Sequence, residues 1–107
     1  MAKHFYDHDS FYIPMYMAEG LLRYINEGIL PGDFLQGILT NDLVRAFSHA
    51  DRENKGNIPA YVAWLYNNAP VGCWGSRIRV ENWVKEKREE QKHAQSGDET
   101  ETKSNVK

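Results

Sequence analysis

The groups in this sequence that could do chemistry are four histidines, one cysteine and several clusters of carboxylates. His4 and His8 lie four positions apart, with Asp7 and Asp9 beside them. On a helix that spacing puts both imidazoles on one face, as zinc sites require. The segment carries little helical signal, and a structural zinc site needs four ligands. We read it as a polar arm and expect no metal. Asp51, Glu53 and Gly56 fall at the first, third and sixth positions of a calcium loop. Its fifth position is the cation Lys55, and its twelfth is Val62 where a bidentate glutamate is needed. A solvated loop is the better reading. No paired carboxylates stand out, and no glycine run leads into Lys-Ser or Lys-Thr to cradle a phosphate.

The sole cysteine, Cys73, sits in Gly72-Cys73-Trp74, which looks superficially like the nucleophile region of papain-like proteases. A cysteine nucleophile needs a positioned base. His49 precedes it on a helix, and His93 borders a polar tail, so we read Cys73 as a small buried side chain beside a core tryptophan. The expectation is a non-enzymatic protein without a cofactor.

Binding is the remaining class. Asn41, Asp42, Arg45, Tyr66, Asn67 and Trp74 combine aromatic and polar groups and are the candidate contacts for a partner protein, with Tyr16 and Tyr24 as further aromatics. Tyr66 with Asn67 and Asn68 could instead hold a nucleotide by stacking and hydrogen bonding. Arg77, Arg79, Lys85 and Arg88 could meet the phosphates of a nucleic acid, but Glu81, Glu86, Glu89 and Glu90 are interleaved with them. The net charge of −2 also disfavours a protein built to coat nucleic acid. Residues 77–107 hold eight basic and seven acidic side chains, so the rest of the chain is the more acidic part.

These groups must be positioned by helices. The 107 residues fit one domain, and 41% hydrophobic with 12% aromatic residues is enough for a packed core. We expect an all-α fold: a compact bundle of four to five short helices over residues 14–93, after an extended arm (1–13) and before a disordered charged tail (94–107). Strand-like alternation is absent. Phe5, Phe11, Tyr12 and Ile13 of the arm pack on the body. Pro14 opens a helix bearing Ala18, Leu21, Leu22, Ile25 and Ile29, in which Gly20 offers a close approach to a neighbour, and Gly28 with Pro31 stops it. Asp33 caps a second helix, and Asp42 a third that buries Leu43, Ala46, Phe47 and Ala50. Residues 51–57 form a loop. Pro59 opens the next helix and Pro70 ends it. Two glycines turn the chain sharply around Cys73-Trp74, and Ser76 caps the last helix, with Trp64 and Trp83 in the core. No apolar run is long enough to span a membrane. One cysteine and no signal-peptide pattern suit the cytoplasm.

Gly28-Ile29-Leu30-Pro31-Gly32-Asp33-Phe34-Leu35, Leu39-Thr40-Asn41-Asp42-Leu43, Ala46-Phe47 with Ala50-Asp51, Leu65-Tyr66-Asn67-Asn68-Ala69-Pro70 and Gly72-Cys73-Trp74-Gly75-Ser76, followed by Val80 and Trp83, form one pattern over about two-thirds of the chain. By that pattern the chain resembles a group of short proteins, without an assigned activity, encoded by tailed bacteriophages and prophages. The resemblance implies a setting, the cytoplasm of an infected bacterium. It implies a class of role, an accessory protein that binds a host protein, including an inhibitor of a defence component. A homo-oligomer paired through the helix near Trp83 is the further expectation.

Overall fold

The computed structural model describes residues 4–100, with side chains over residues 4–92. It is mostly helical, with a small two-stranded sheet where an arm was expected. Strands β1 (His4–His8) and β2 (Phe11–Pro14) pair antiparallel, with Tyr6 opposite Ile13 and His8 opposite Phe11. The turn is possible because Asp9 takes φ 55°, a conformation its short polar side chain tolerates. A two-stranded ribbon is marginal by itself. This one is held from outside: Ile13 is fully buried, and the Phe5 ring tilts against Trp64 at 5.3 Å. The arm does pack on the body, therefore, but as a hairpin.

Pro14 closes β2 and leads into a single 3-10 turn, Met15–Met17, before helix α1 (Ala18–Glu27). The helix thus starts later than the proline suggested. Gly28 ends it as expected, in the left-handed conformation (φ 73°), with its N–H donating to the Tyr24 carbonyl at 2.8 Å. A Cβ at Gly28 would stand 2.5 Å from Cβ of Lys87, so the chain crosses the last helix at glycine range.

Helix α2 (Asp33–Leu39) and helix α3 (Leu43–His49) form the tightest pair. Asp33 is the first residue of α2, not its cap; Gly32 holds that place. Asp42 does cap α3, accepting from the Arg45 N–H at 3.1 Å. The close helix approach is made by Gly37, where a Cβ would meet Cα of Ala46 at 2.7 Å, whereas Gly20 has ordinary room beside Leu35. This approach turns Ala46 inward and rotates the predicted buried face away. Leu43 is 66% exposed and Phe47 52% exposed, contrary to expectation.

Residues 51–57 are not a solvated loop. Asp51 caps a short helix α4 (Arg52–Lys55) by accepting from the Asn54 N–H at 2.7 Å. Asn54 and Asn57 are buried. Helix α5 (Ile58–Asn68) follows, with Pro59 in its first turn and Ala69 extended before Pro70. A 3-10 turn, Val71–Cys73, leads to helix α6 (Arg77–Thr100), and Ser76 Oγ accepts from the Arg79 N–H at 3.2 Å as its cap. The expected tail, 94–107, overlaps the last turns of α6 and otherwise lies outside the described residues. No described helix is long and apolar enough to cross a membrane.

The core is Ile13, Leu21, Tyr24, Leu35, Leu39, Ala46, Tyr61, Leu65, Cys73 and Val80, with Trp64, Trp74 and Trp83 half-buried against it. Two of its polar side-chain groups reach backbone carbonyls, as burial favours. The Tyr24 hydroxyl donates to the Cys73 carbonyl at 2.6 Å, and Trp83 Nε1 donates to the Ile25 carbonyl at 3.1 Å. Burial pushes the Cys73 thiol up to about 11. We expect no reaction of this thiol with Ellman's reagent at pH 8 in the folded protein and a full equivalent in denaturant, because the thiolate is the reactive form. Rapid labelling of native protein would contradict that burial.

Candidate functional site

The predicted contact residues fall on two separate surfaces. Tyr66 and Asn67 lie at the end of α5, where Ile58, Val62 and Tyr66 repeat every fourth residue along one helix face, with Pro59, Ala63 and Asn67 as a parallel row. With His8 of β1 these residues line an open cleft of ≈570 Å³. Tyr66 is 79% exposed and Val62 45% exposed. Asn67 is partly committed, since its Nδ2 donates to the Ala63 carbonyl at 2.8 Å.

Asn41, Asp42 and Arg45 gather at the α2–α3 turn. Asn41 is exposed in the left-handed conformation (φ 63°), and Asp42 is occupied as a cap. Arg45 Nη2 donates to Asp33 Oδ1 at 2.9 Å and to Gln36 Oε1 at 3.0 Å. Arg45 faces a second cleft of ≈410 Å³, shared with Arg77 and Glu81 of α6. That guanidinium hydrogen bond holds the Asp33 carboxyl below its ordinary range. The sign follows: a lowered folded-state value adds stability above the ordinary carboxylate range, lost as pH falls through the lowered value. Arg45→Gln is therefore expected to raise the Asp33 carboxyl towards its ordinary value, read by carboxyl-carbon NMR during an acid titration. An unmoved midpoint would show that the pair is not formed in solution.

No family model, curated protein or solved structure matches this chain.

The remaining predicted residues divide by what already holds them. Trp74 is half-buried, and its carbonyl accepts from Arg79 Nη1 at 3.4 Å. Arg79 Nη1 also donates to the Val71 carbonyl at 3.4 Å, so this cation ties the Cys73 loop to α6. Arg77 is exposed with Glu81 4.0 Å away, Lys85 is exposed, and Arg88 borders a third cleft of ≈300 Å³. Tyr24, a proposed contact, is fully buried and so cannot meet a partner.

Sequence reasoning missed a tyrosine–carboxylate cluster. The Tyr12 hydroxyl donates to Glu53 at 2.5 Å, and the Tyr16 hydroxyl to Asp51 at 2.9 Å. Asn57 Oδ1 accepts from the Tyr12 N–H at 2.8 Å, and the Tyr61 hydroxyl donates to Asn54. Bonding to Glu53 raises the Tyr12 hydroxyl, and burial raises that of Tyr61. These groups are engaged with one another and fasten the hairpin to α4. The His4 ring stacks on Tyr12 at 3.8 Å on a strand, not on a helix as the zinc spacing would need. Among the described residues no three His, Cys, Asp or Glu side chains are grouped to hold a metal ion.

Proposed function

We propose that this protein is a non-enzymatic binding module that engages another protein through the outer face of α5. The observation behind this reading is the row Ile58, Val62 and Tyr66, which starts against the core at Ile58, is exposed at Val62 and ends in a largely exposed tyrosine. Tyrosine is a favoured interface anchor because it brings a large apolar surface with a polar tip and only two side-chain torsions to fix. The resemblance to phage and prophage proteins supplies the setting. In that reading the partner is a host protein in the bacterial cytoplasm, and its more specific form is inhibition of a defence component.

The test is affinity capture from a bacterial lysate with the tagged protein and its Tyr66→Ala variant. Tyr66 touches the core little, so circular dichroism of the variant is expected to match the parent. One stoichiometric host protein retained by the parent and lost, by roughly 2 kcal/mol or more of binding energy, from the variant is the expected result. Equal capture by both proteins would remove this face from consideration. Recovery of nucleotide or nucleic acid alone would replace the reading.

A further inference from the structure

Helix α3 carries an apolar face that the fold leaves uncovered. Ala46 turns inward against Gly37, and that rotation sets Leu43, Val44 and Phe47 on the outside, 66%, 75% and 52% exposed. Positions 43 and 47 are four apart and 44 lies three before 47, so the three side chains form one patch. Together they expose roughly 300 Å² of apolar surface, as much as the largest such patch on many monomers.

Opposite charges stand at the two ends of the patch. Asp42 is exposed just before Leu43, with Oδ1 accepting from the Arg45 N–H at 3.1 Å as the cap of α3. Lys55 of α4 stands at the other end, its Nζ 4.8 Å from the centroid of the Phe47 ring. Neither Asp42 nor Lys55 belongs to an ion pair among the described residues. The charges that could compete for them are engaged elsewhere. Arg45, the one permanent charge within α3, donates to Asp33 at 2.9 Å. The α4 neighbours Asp51 and Glu53 accept from the Tyr16 and Tyr12 hydroxyls of the hairpin side.

We propose that this face pairs with the same face of a second copy of the chain, the two α3 helices lying antiparallel across a two-fold axis. A patch with a free carboxylate at one end and a free ammonium at the other is complementary to itself. In the antiparallel pair Leu43 meets Phe47 of the second copy, Val44 lies beside the axis, and each Asp42 faces the other copy's Lys55. A parallel pair would set Asp42 against Asp42 and Lys55 against Lys55, so charge selects the antiparallel form. Area sets the strength. Two such patches bury about 600 Å² of apolar surface, and a polar rim brings the interface to about 1,000 Å², the lower end for a specific contact. The dimer is accordingly weak, with a dissociation constant on the order of 10–100 µM. The proposal goes beyond the α5 reading and stands or falls separately from it, since Tyr66 is no part of this patch. It also places the pairing face away from Trp83, whose Nε1 already donates to the Ile25 carbonyl.

The test is sedimentation equilibrium of the full chain from about 5 µM to about 1 mM, a range that spans the expected midpoint, with amide NMR over the same series. The mass is expected to rise from one chain to two and no further, because a two-fold pair is closed. Concentration-dependent shifts are expected at Leu43, Val44 and Phe47. Val44→Asp, at an exposed position, is expected to leave only monomer with an unchanged circular dichroism spectrum. Lys55→Glu puts two carboxylates together at both ends of the interface and is expected to weaken the dimer at least about tenfold, whereas Lys55→Arg changes it less than about threefold. Tyr66→Ala is expected to pair like the parent. Monomer throughout the series would overturn the proposal and leave the face to a different protein. A dimer indifferent to Val44→Asp, shifts confined to α5 or α6, or assembly beyond two chains would overturn it as well. A dimer that Lys55→Glu leaves unchanged would overturn the antiparallel arrangement on which the proposal rests.

Discussion

Gly37→Ala is expected to lower stability by about 3 kcal/mol, and the Tm by more than about 10 °C. Helix propensity alone predicts the opposite, a gain of up to about 1 kcal/mol for alanine over glycine within a helix. Packing decides the sign. The added Cβ would lie 2.7 Å from Cα and 3.0 Å from Cβ of Ala46, closer than such atoms approach. Ala46 cannot step aside, because its N–H donates to the Asp42 carbonyl at 3.0 Å in the first turn of α3. The Asp42 N–H donates back to the Gly37 carbonyl at 2.8 Å, which fastens both sides of the contact. To admit one methyl group, α2 and α3 must separate along their whole interface. Thermal and urea denaturation measure the change, and an unaltered or raised midpoint would mean that the two helices are not in this contact.

Tyr61→Ala carries the other large effect, about 4 kcal/mol of destabilisation. Tyr61 has no exposed surface, and the Phe34 ring meets it edge-on at 5.0 Å. Its hydroxyl donates to the buried Asn54. Tyr61→Phe separates the two parts: the ring remains, Asn54 Oδ1 loses a donor, and the expected cost is about 1–3 kcal/mol. The loss should also have an address. Asn54 belongs to α4, the element to which Tyr12 and Tyr16 bind, so even the phenylalanine variant should speed hydrogen exchange at the Tyr12 amide, which donates to Asn57. Faster exchange spread evenly over α1 and α6 with none at Tyr12 would argue against this connection.

The elements most legible in the sequence were those specified by one residue and its immediate neighbours. Gly28, Asp42 and Ser76 could be read as helix ends because capping is local chemistry. The hairpin was missed because nothing local specifies it. Its alternation is broken by the register shift between His4 and Tyr6, and its support comes from Glu53, Asn57 and Trp64, some 40 or more positions away. On α3 the spacing was right and the face was wrong. Leu43 and Phe47 are the larger side chains, but it is Ala46 that fits against Gly37, and a glycine in the middle of a helix gives no sign of which neighbour it admits. The polar run 51–57 read as loop because buried asparagines are uncommon, and here Asn54 is satisfied by Tyr61 of the next helix and Asn57 by Tyr12, 45 positions away.

The candidate surfaces were legible only in part. Tyr66 and Asn67 stand out by residue type, but the row that gives Tyr66 its setting, Ile58 and Val62, emerges only with the bounds of α5, which begins one residue before Pro59. Arg45 and Arg77 were assigned to different partners, whereas the structure places them on one cleft. Their meeting depends on α3 and α6 lining the same cleft, 32 positions apart in the chain at these residues, which no local pattern encodes.

The fastening of the hairpin also sets an order of events during synthesis. β1 and β2 leave the ribosome before α4, and the Tyr12 amide finds its acceptor Asn57 only 45 residues later. At about 5–20 residues per second that is a wait of roughly 2–9 s. Through that interval residues 4–14 are a nascent segment with Phe5, Phe11 and Ile13 uncovered and both strand edges open. A chaperone that holds extended apolar segments would meet this protein at the hairpin segment, and would be displaced when α4 and α5 emerge.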